Sequence, residues 1–471
     1  MSDPNPEQAA AVPPPREQLV EDLDQLLDRA PLELARIRAR TRNIPPEDVA
    51  SALSELDHHQ KLLLFRAVSD QYAAQVLDEA DRESQIELAE SIGLDHLSRL
   101  IEEMPPDEGA DFLALLGPEQ RTRVLASLDP THAGNLRELE KFDPETAGGL
   151  MTNEFLMVPP DLPAGEALTR FAEFEGDDEA SPLNYVYIVD EVRNLLGVAS
   201  FKQLIRTDPN EPVREVMQKP WVTVQPSMDR EEVARIVDRY HLQAIPVTND
   251  AGGLLGVVTV DDIMDVIEEE VSEDMYRMAG AAMHNPFVEP VWQRVWNRLP
   301  WLVVTMFGGF ASVALISLYQ HTIEARTSIA FFLPIVAALA GNIGVQASTI
   351  MVRGFATGDI PAGAGSTLSL LLRELAVGCS IGLICGVCTG IFAALYTSDP
   401  DAARLGLSVG LSIFAAISAA VVVGTLVPIA CSRMGVDPAL AAGPFIVTTV
   451  DLFAHLIYFV IVTLILFAAL Q

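Results

Sequence analysis

Charge is distributed along this chain so unevenly that the fold has to come in two chemically different parts. Residues 1–290 carry 58 of the 65 acidic and 24 of the 31 basic side chains, and residues 291–471 carry seven of each. Within the charge-poor part, apolar stretches at about 300–320, 329–352, 371–396, 405–432 and 443–470 are each long enough to cross a hydrocarbon core about 30 Å thick. Backbone polar groups in lipid must be satisfied within the segment, so each stretch is predicted to be a helix. The chain reads as an integral membrane protein with five spans and a large acidic domain outside the bilayer. With that domain in the cytoplasm, Arg294, Arg298, Arg353, Arg373 and Arg433 flank the inner face and Arg326 and Arg404 the outer one. Five against two follows the positive-inside rule and leaves Gln471 external, in a multi-pass inner (cell) membrane protein.

The net charge of −34 repels nucleic acid and anionic lipid and attracts cations. Cys379, Cys385, Cys388 and Cys431 all lie in the apolar part, so no disulfide framework is expected in the acidic part. Cys385 and Cys388 read as small packing residues within a span. No basic leader followed by an apolar core opens the chain, so no secretory signal is expected. Residues 1–17, rich in proline, are predicted to be a disordered tail.

Residues 18–145 contain recurrent units: PPEDVASALSELD (45–57), PPDEGADFLALLG (105–117) and GPEQRTRVLASLD (117–129). Each starts at a Pro or Gly turn, places acidic groups in its first turn, and continues with apolar residues at helical spacing. Stacked short helices, an α-superhelix, are the expected result. Such a domain serves as a scaffold, a partner surface or a moving gate element. Two copies of a different unit follow, at 146–210 and 211–270. Each opens on a methionine, Met151 or Met217, and ends on an LLGV string and a helix, with Gly197 and Gly256 in corresponding positions. The first copy holds an acidic insertion at FEGDDEAS (174–181). This unit resembles a tandem pair of CBS domains, small α/β modules that often bind adenosine nucleotides. Thr259 and Asp262 lie where such modules contact ribose.

Residues 261–280 are DDIMDVIEEEVSEDMYRMAG. On a helix, Asp262 and Asp265 share one face, as do Glu270, Glu273 and Asp274. Like charges at this spacing repel, and a hard divalent cation with oxygen ligands relieves the repulsion. The competing reading is a solvated acidic helix. The spacing is not that of an EF-hand loop, and fully hydrated Mg²⁺ bridging carboxylates of neighbouring elements suits it better. Residues 271–299 are predicted to connect this region to the membrane, with VWQRVWNRLP (291–300) as an interfacial helix.

Asp451 sits inside the fifth apolar stretch. A carboxylate facing lipid is costly, so it belongs in a protein interior or a water-filled path. Thr448 and His455 lie one turn to either side, and Gly443 and Pro444 mark an irregular entry to the helix. Asn342 and Gln346, four apart in the second stretch, either line a polar path or bond between helices. Glu374 is beside Arg373, and surface pairing accounts for it. One carboxylate per chain cannot replace a full hydration shell, so a cation passing here keeps water, and two copies about an axis place two such groups at one level.

These strings together resemble the MgtE family of bacterial Mg²⁺ channels and transporters. The match covers nearly the whole chain and includes TAGGLMT (146–152), AGNIGVQASTIMVRGFATGDI (340–360) and VPIACSRMGVDPALAAGPFIVTTVD (427–451). Ala340 and Val345 depart from the commonest family residues and keep those positions small or uncharged. The resemblance implies an N-terminal α-helical superhelix, tandem α/β CBS domains, a connecting (plug) helix at 271–299 and a five-helix transmembrane domain at 300–471, assembled as a homodimer with the pore on its axis. It implies Asp451 as the ion-selecting group, with Asn342, Gln346, Thr448 and His455 as pore-lining candidates. Asp262, Asp265, Glu270, Glu273 and Asp274 become ligands of regulatory cytoplasmic Mg²⁺ that favours closure. ATP is a regulatory ligand of some members, with Thr259 and Asp262 as candidate contacts. Membrane lipid is the other expected partner; no nucleic acid and no obligatory protein partner are expected. The competing functions are a coupled transporter of another divalent metal such as Co²⁺ and a membrane-anchored, nucleotide-sensing CBS protein. No nucleophile triad, Walker loop or closed zinc cluster is legible, so no enzyme is expected.

Overall fold

A computed structural model describes residues 19, 20, 23, 27, 34–42, 44–175, 184–220, 222–281, 290–357, 360, 364–397, 401–441 and 443–467. The tail at 1–17 and most of the acidic insertion lie outside the described residues. The chain divides into two compact units, Met1–Ile267 and Glu268–Gln471.

The first unit begins with short helices: α1 (Leu34–Thr41), α2 (Pro46–Leu53), α3 (His58–Ala67), α4 (Asp70–Asp78), α5 (Arg82–Ser91), α6 (Leu94–Glu102), α7 (Pro106–Leu115), α8 (Pro118–Ser127) and α9 (Pro130–Leu139). Prolines enter α2, α7, α8 and α9 within the first turn, where a missing N–H costs nothing. Side-chain caps from Asp57, Ser69 and Asp81 start α3, α4 and α5. Each helix packs on the next but one, which is how short amphipathic helices wind into a superhelix. Contacts between successive turns recur at a sequence separation of 29: Arg38 Nε donates to the Ala67 carbonyl, His58 meets Glu87, Arg99 meets Asp70, and Ser98 meets Ser127. Leu53, Leu77, Leu88, Leu97 and Leu113 are completely buried along the shared core.

The α/β part follows through α10 (Ala147–Leu150), β1 (Met157–Val158), α11 (Ala164–Glu175), β2 (Tyr185–Val189), β3 (Leu195–Ser200), α12 (Phe201–Ile205), α13 (Arg230–Tyr240), β4 (Ala244–Thr248) and β5 (Leu254–Thr259). Each copy folds around an antiparallel hairpin, β2–β3 or β4–β5. The hairpin turns pair with each other: Leu195 N–H donates to the Gly252 carbonyl at 3.0 Å, and Leu254 N–H to the Arg193 carbonyl at 2.9 Å. The opening segments are exchanged between copies. Thr152 bridges to Val257 of the second hairpin, and Gln218 to Val198 of the first. A Cβ on Gly256 would meet the Met151 sulfur at 2.5 Å, and one on Gly197 the Met217 sulfur at 2.9 Å. The corresponding glycines noted in the sequence are therefore seats for the other copy's opening methionine. β5 runs into α14 (Val260–Met278), which stops where Gly280 takes φ +72°.

In the second unit, α15 (Val291–Leu318) is followed by α16 (Gln320–Ala325), α17 (Leu333–Ala356), α18 (Ala364–Tyr396), α19 (Ala402–Arg433) and α20 (Gly443–Phe467). Five of these are long and apolar enough to cross a membrane. The segment 291–300, expected as a separate interfacial helix, is instead the first turns of α15, with Pro300 inside that helix. Neighbouring groups and local adjustment tolerate such a proline in a membrane helix. Trp292 and Trp296 stay exposed, with ring centroids 5.5 Å apart. Helix α19 is the centre: α17, α18 and α20 all pack on it. Its crossing with α18 is glycine on glycine, since a Cβ on Gly386 would lie 2.5 Å from the Gly410 carbonyl oxygen and one on Gly390 2.7 Å from that of Gly406. Small residues permit this approach where no hydrophobic effect separates helix from lipid. At the far end the Tyr458 hydroxyl donates to the Ile329 carbonyl at 2.7 Å.

The crossing yields the first prediction. Gly386→Val must separate α18 from α19, because the group it strikes is backbone. The full-length protein in detergent is expected to lose several degrees in Tm and to become monodisperse only at lower temperature. Gly309→Val, at a site with no atom within 4 Å of a Cβ, is expected to leave both unchanged.

Candidate ion path and acidic cluster

Asp451 stands two turns into α20, on a face turned toward α17. A Cβ on Gly341 would lie 3.4 Å from the Asp451 Oδ1, so the carboxylate rests in contact distance of this position on α17. Asp451 is half-buried and makes no ion pair among the described residues. Thr448, one turn before it, is half-buried, donates to the Pro444 carbonyl at 2.7 Å and packs its methyl on Gly308 of α15. Asn342 and Gln346 are both exposed on α17. His455, one turn after Asp451, is buried at 9% exposure, and its Nδ1 has no partner among the described residues.

The entry to α20 is tied to the end of α14. Arg277 forms ion pairs with Glu273, one turn earlier, and with Asp437 at 2.5 Å, in the connection between α19 and α20. Asp437 also accepts from the Ala439 N–H at 2.8 Å, ordering that connection. Met278 packs on Val352 and Ala439, and a Cβ on Gly443 would strike the Met278 carbonyl oxygen. Only glycine fits where the connecting helix meets the start of the Asp451 helix.

In the first unit, Asp262 and Asp265 come together with Asp78, Asp107 and Glu108 of the helical domain. Burial, reinforced by the Asp262 charge, pushes Asp107 up to about 8. Burial pushes Asp262 up to about 6, against the pull of its hydrogen bond from the Thr259 hydroxyl. Burial also raises Asp78 and Glu108, and Glu108 donates its proton to Asp78. One oxygen of Asp107 is buried without any partner. No ion pair involves Asp107 among the described residues. Among the described residues no group of three His, Cys, Asp or Glu side chains is placed to hold a metal ion. Thr259 and Asp262, expected at a nucleotide, are bonded to each other. Glu273 is paired with Arg277, one turn further along α14.

Three of these carboxylates escape the sequence reading. Asp107 and Glu108 occupy the first turn of α7, where acidic residues are ordinary helix-dipole partners. Asp78 offered a signal, since a carboxylate in the last turn of a helix opposes the dipole.

Comparison with known proteins now adds to this geometry. A family profile described as a divalent cation transporter matches residues 333–461. The MgtE intracellular N domain matches 44–145, and the CBS domain matches 147–209 and 213–269. The magnesium transporter MgtE of Bacillus subtilis is 32% identical over 338 residues, covering 72% of this chain and 73% of that protein. This chain belongs to the MgtE family. The MgtE of Thermus thermophilus is 33% identical over 342 residues, covering 72% of this chain and 74% of its own. Among solved structures, the soluble part of a magnesium transporter is similar with a TM-score of 0.50 and 27% identity, over 54% of this chain and 99% of that one. The cytosolic domain of the Mg²⁺ channel MgtE in complex with ATP gives a TM-score of 0.49 and 31% identity, over 52% of this chain and 99% of that one. The expected architecture of helical domain, CBS pair and five apolar helices thus holds for this MgtE-family chain.

Two outcomes are expected. Both raised carboxylates bind protons more tightly folded than unfolded, so stability contributed below about pH 4 is lost as pH rises toward 8. The metal-free Tm should therefore be higher at pH 6 than at pH 8, and added Mg²⁺ should raise it more at pH 8. Asp107→Asn should raise the metal-free Tm at pH 8 and shrink the Mg²⁺ shift; equal shifts in both proteins would refute the cluster. Separately, Asp437→Ala should speed amide exchange at 275–281 and 435–439, and the exchanged pair R277D/D437R should slow it again.

Proposed function

We propose that this protein moves Mg²⁺ across the cell membrane along a path set by Asp451, under feedback from Mg²⁺ held at the acidic cluster. The observation that carries the reading is the Asp451 carboxylate, unpaired among the described residues, inside an apolar helix and laid against Gly341. Mg²⁺ gives up water reluctantly, so an ion passing this carboxylate retains part of its shell and uses the Asn342 and Gln346 amides as acceptors for that water. Those amides lie on the outer face of one subunit. In a bilayer they need a partner or water. A second copy facing the first supplies both, and brings two Asp451 groups to one axis. The homodimer is therefore part of the proposal. So is the orientation with Gln471 outside, which the arginine distribution supports.

On the regulatory side, Asp78, Asp107, Glu108, Asp262 and Asp265 are the groups proposed to hold hydrated Mg²⁺. Binding removes the repulsion that otherwise favours separating them. Glu270, Glu273 and Asp274, on α14, extend the acidic surface toward the Arg277–Asp437 tie. The Thr259 hydroxyl and Asp262 are the proposed ATP contacts, which requires their mutual bond to open.

Reconstituted in liposomes, the wild type is expected to take up Mg²⁺, and Asp451→Ala to fall close to the protein-free rate while remaining folded. Undiminished Mg²⁺ uptake by that variant would defeat the pathway assignment. Divalent competition in the same assay separates Mg²⁺ from Co²⁺.

A further inference from the structure

One exposed line on α17 continues past the amides already described. Asn342, Gln346, Thr349 and Arg353 are all exposed, and at 100° per residue they fall within a sector of about 60°. The line spans eleven residue steps, about 16 Å of helix. It starts beside Gly341, where the Asp451 carboxylate rests, and ends at Arg353 in the last turn of α17. The helix runs toward the cytoplasmic face in the proposed orientation, so the polar line leads inward from the ion-selecting group and closes on a fixed positive charge.

That ending is opposite to what attraction of a cation requires. Arg353 makes no ion pair among the described residues, unlike Arg277, which is paired to Glu273 and Asp437. The outer arginine Arg326 is likewise tied, to Asp401 at 2.6 Å. A lipid phosphate would account for an arginine at this depth on any face of the helix. It does not account for one placed in register with the only continuous polar line on α17, starting at the carboxylate.

We propose that Arg353 is an electrostatic valve at the inner mouth of the path. The inference rests on the pathway reading above. A positive charge there depletes divalent cations at the cytoplasmic entrance, and a doubly charged ion feels it twice as strongly as a monovalent one. Ions arriving from outside meet the same charge only after the Asp451 carboxylate has concentrated them, so the depletion falls mainly on entry from the cytoplasm. The consequence is conduction that favours entry over exit, imposed by a residue that binds no ion.

The test uses the full-length protein in planar bilayers, with cytoplasmic-side Mg²⁺ below the concentration that closes it. The measured quantity is the ratio of outward to inward Mg²⁺ current at equal and opposite driving force. R353K should match the wild type. R353Q should raise the ratio several-fold, on the order of three- to tenfold, and R353E more. These differences should shrink between about 0.1 M and about 1 M monovalent salt, where the screening length falls from about 10 Å to about 3 Å. Should the neutral variants not assemble, R353C in a background with Cys379, Cys385, Cys388 and Cys431 replaced by Ala is labelled after assembly with a cationic or an anionic methanethiosulfonate. The cationic label should restore the wild-type ratio and the anionic label should raise it. The same ratio at every charge, as for an arginine anchored only to lipid, overturns the valve. So does loss in R353K equal to that in R353Q and indifferent to salt. A folded wild type carrying no Mg²⁺ current removes the pathway itself, whereas a current lost in Asp451→Ala but unmoved by the Arg353 series removes the valve alone.

Discussion

Negative charge held without a positive partner is the constraint on which the rest of this structure depends. It occurs in two settings. In the membrane unit one carboxylate, Asp451, stands in an apolar helix with no ion pair among the described residues, resting against Gly341. In the first unit burial makes Asp78, Asp107, Glu108 and Asp262 bind protons more tightly, with Asp107 reaching about 8. Proteins rarely keep such groups unpaired, since desolvating a charge costs several kcal/mol. In the proposed function a divalent cation supplies the missing charge in both places, in transit at one and bound at the other.

The elements around these groups serve to set their positions. Glycines recur at close approaches: Gly386 and Gly410 admit each other's backbone, and Gly443 admits the Met278 carbonyl. The latter joins the end of the acidic helix to the first turn of the helix bearing Asp451, with the Arg277–Asp437 pair beside it. In the CBS pair the same device seats Met151 and Met217 on the opposite copy's glycine, so the two copies cannot move independently.

Much of the architecture was legible because it follows from periodicity and charge. The five apolar stretches, the proline-headed short helices and the repeated LLGV units each reflect local requirements, and the structure places helices or hairpins where they occur. Asp451 was conspicuous for the same reason, as a charge in an apolar run. The 291–300 segment, expected as a separate interfacial helix, is continuous with the first span, because a membrane helix continues through Pro300. The exchange of opening segments between CBS copies had no signature, since identical copies read the same whether or not they swap.

The order of residues by itself determined that this chain crosses a membrane five times, carries a strongly acidic domain and keeps one carboxylate within a span. Hydropathy, charge and helical period act over a few residues and need no knowledge of neighbours. Only the tertiary structure decided which carboxylates meet, that Asp107 and Glu108 are ligand candidates and not helix caps, and that Asp451 lies on Gly341. Those facts depend on contacts between segments tens or hundreds of residues apart, and the energy of a buried charge is set by what surrounds it in space.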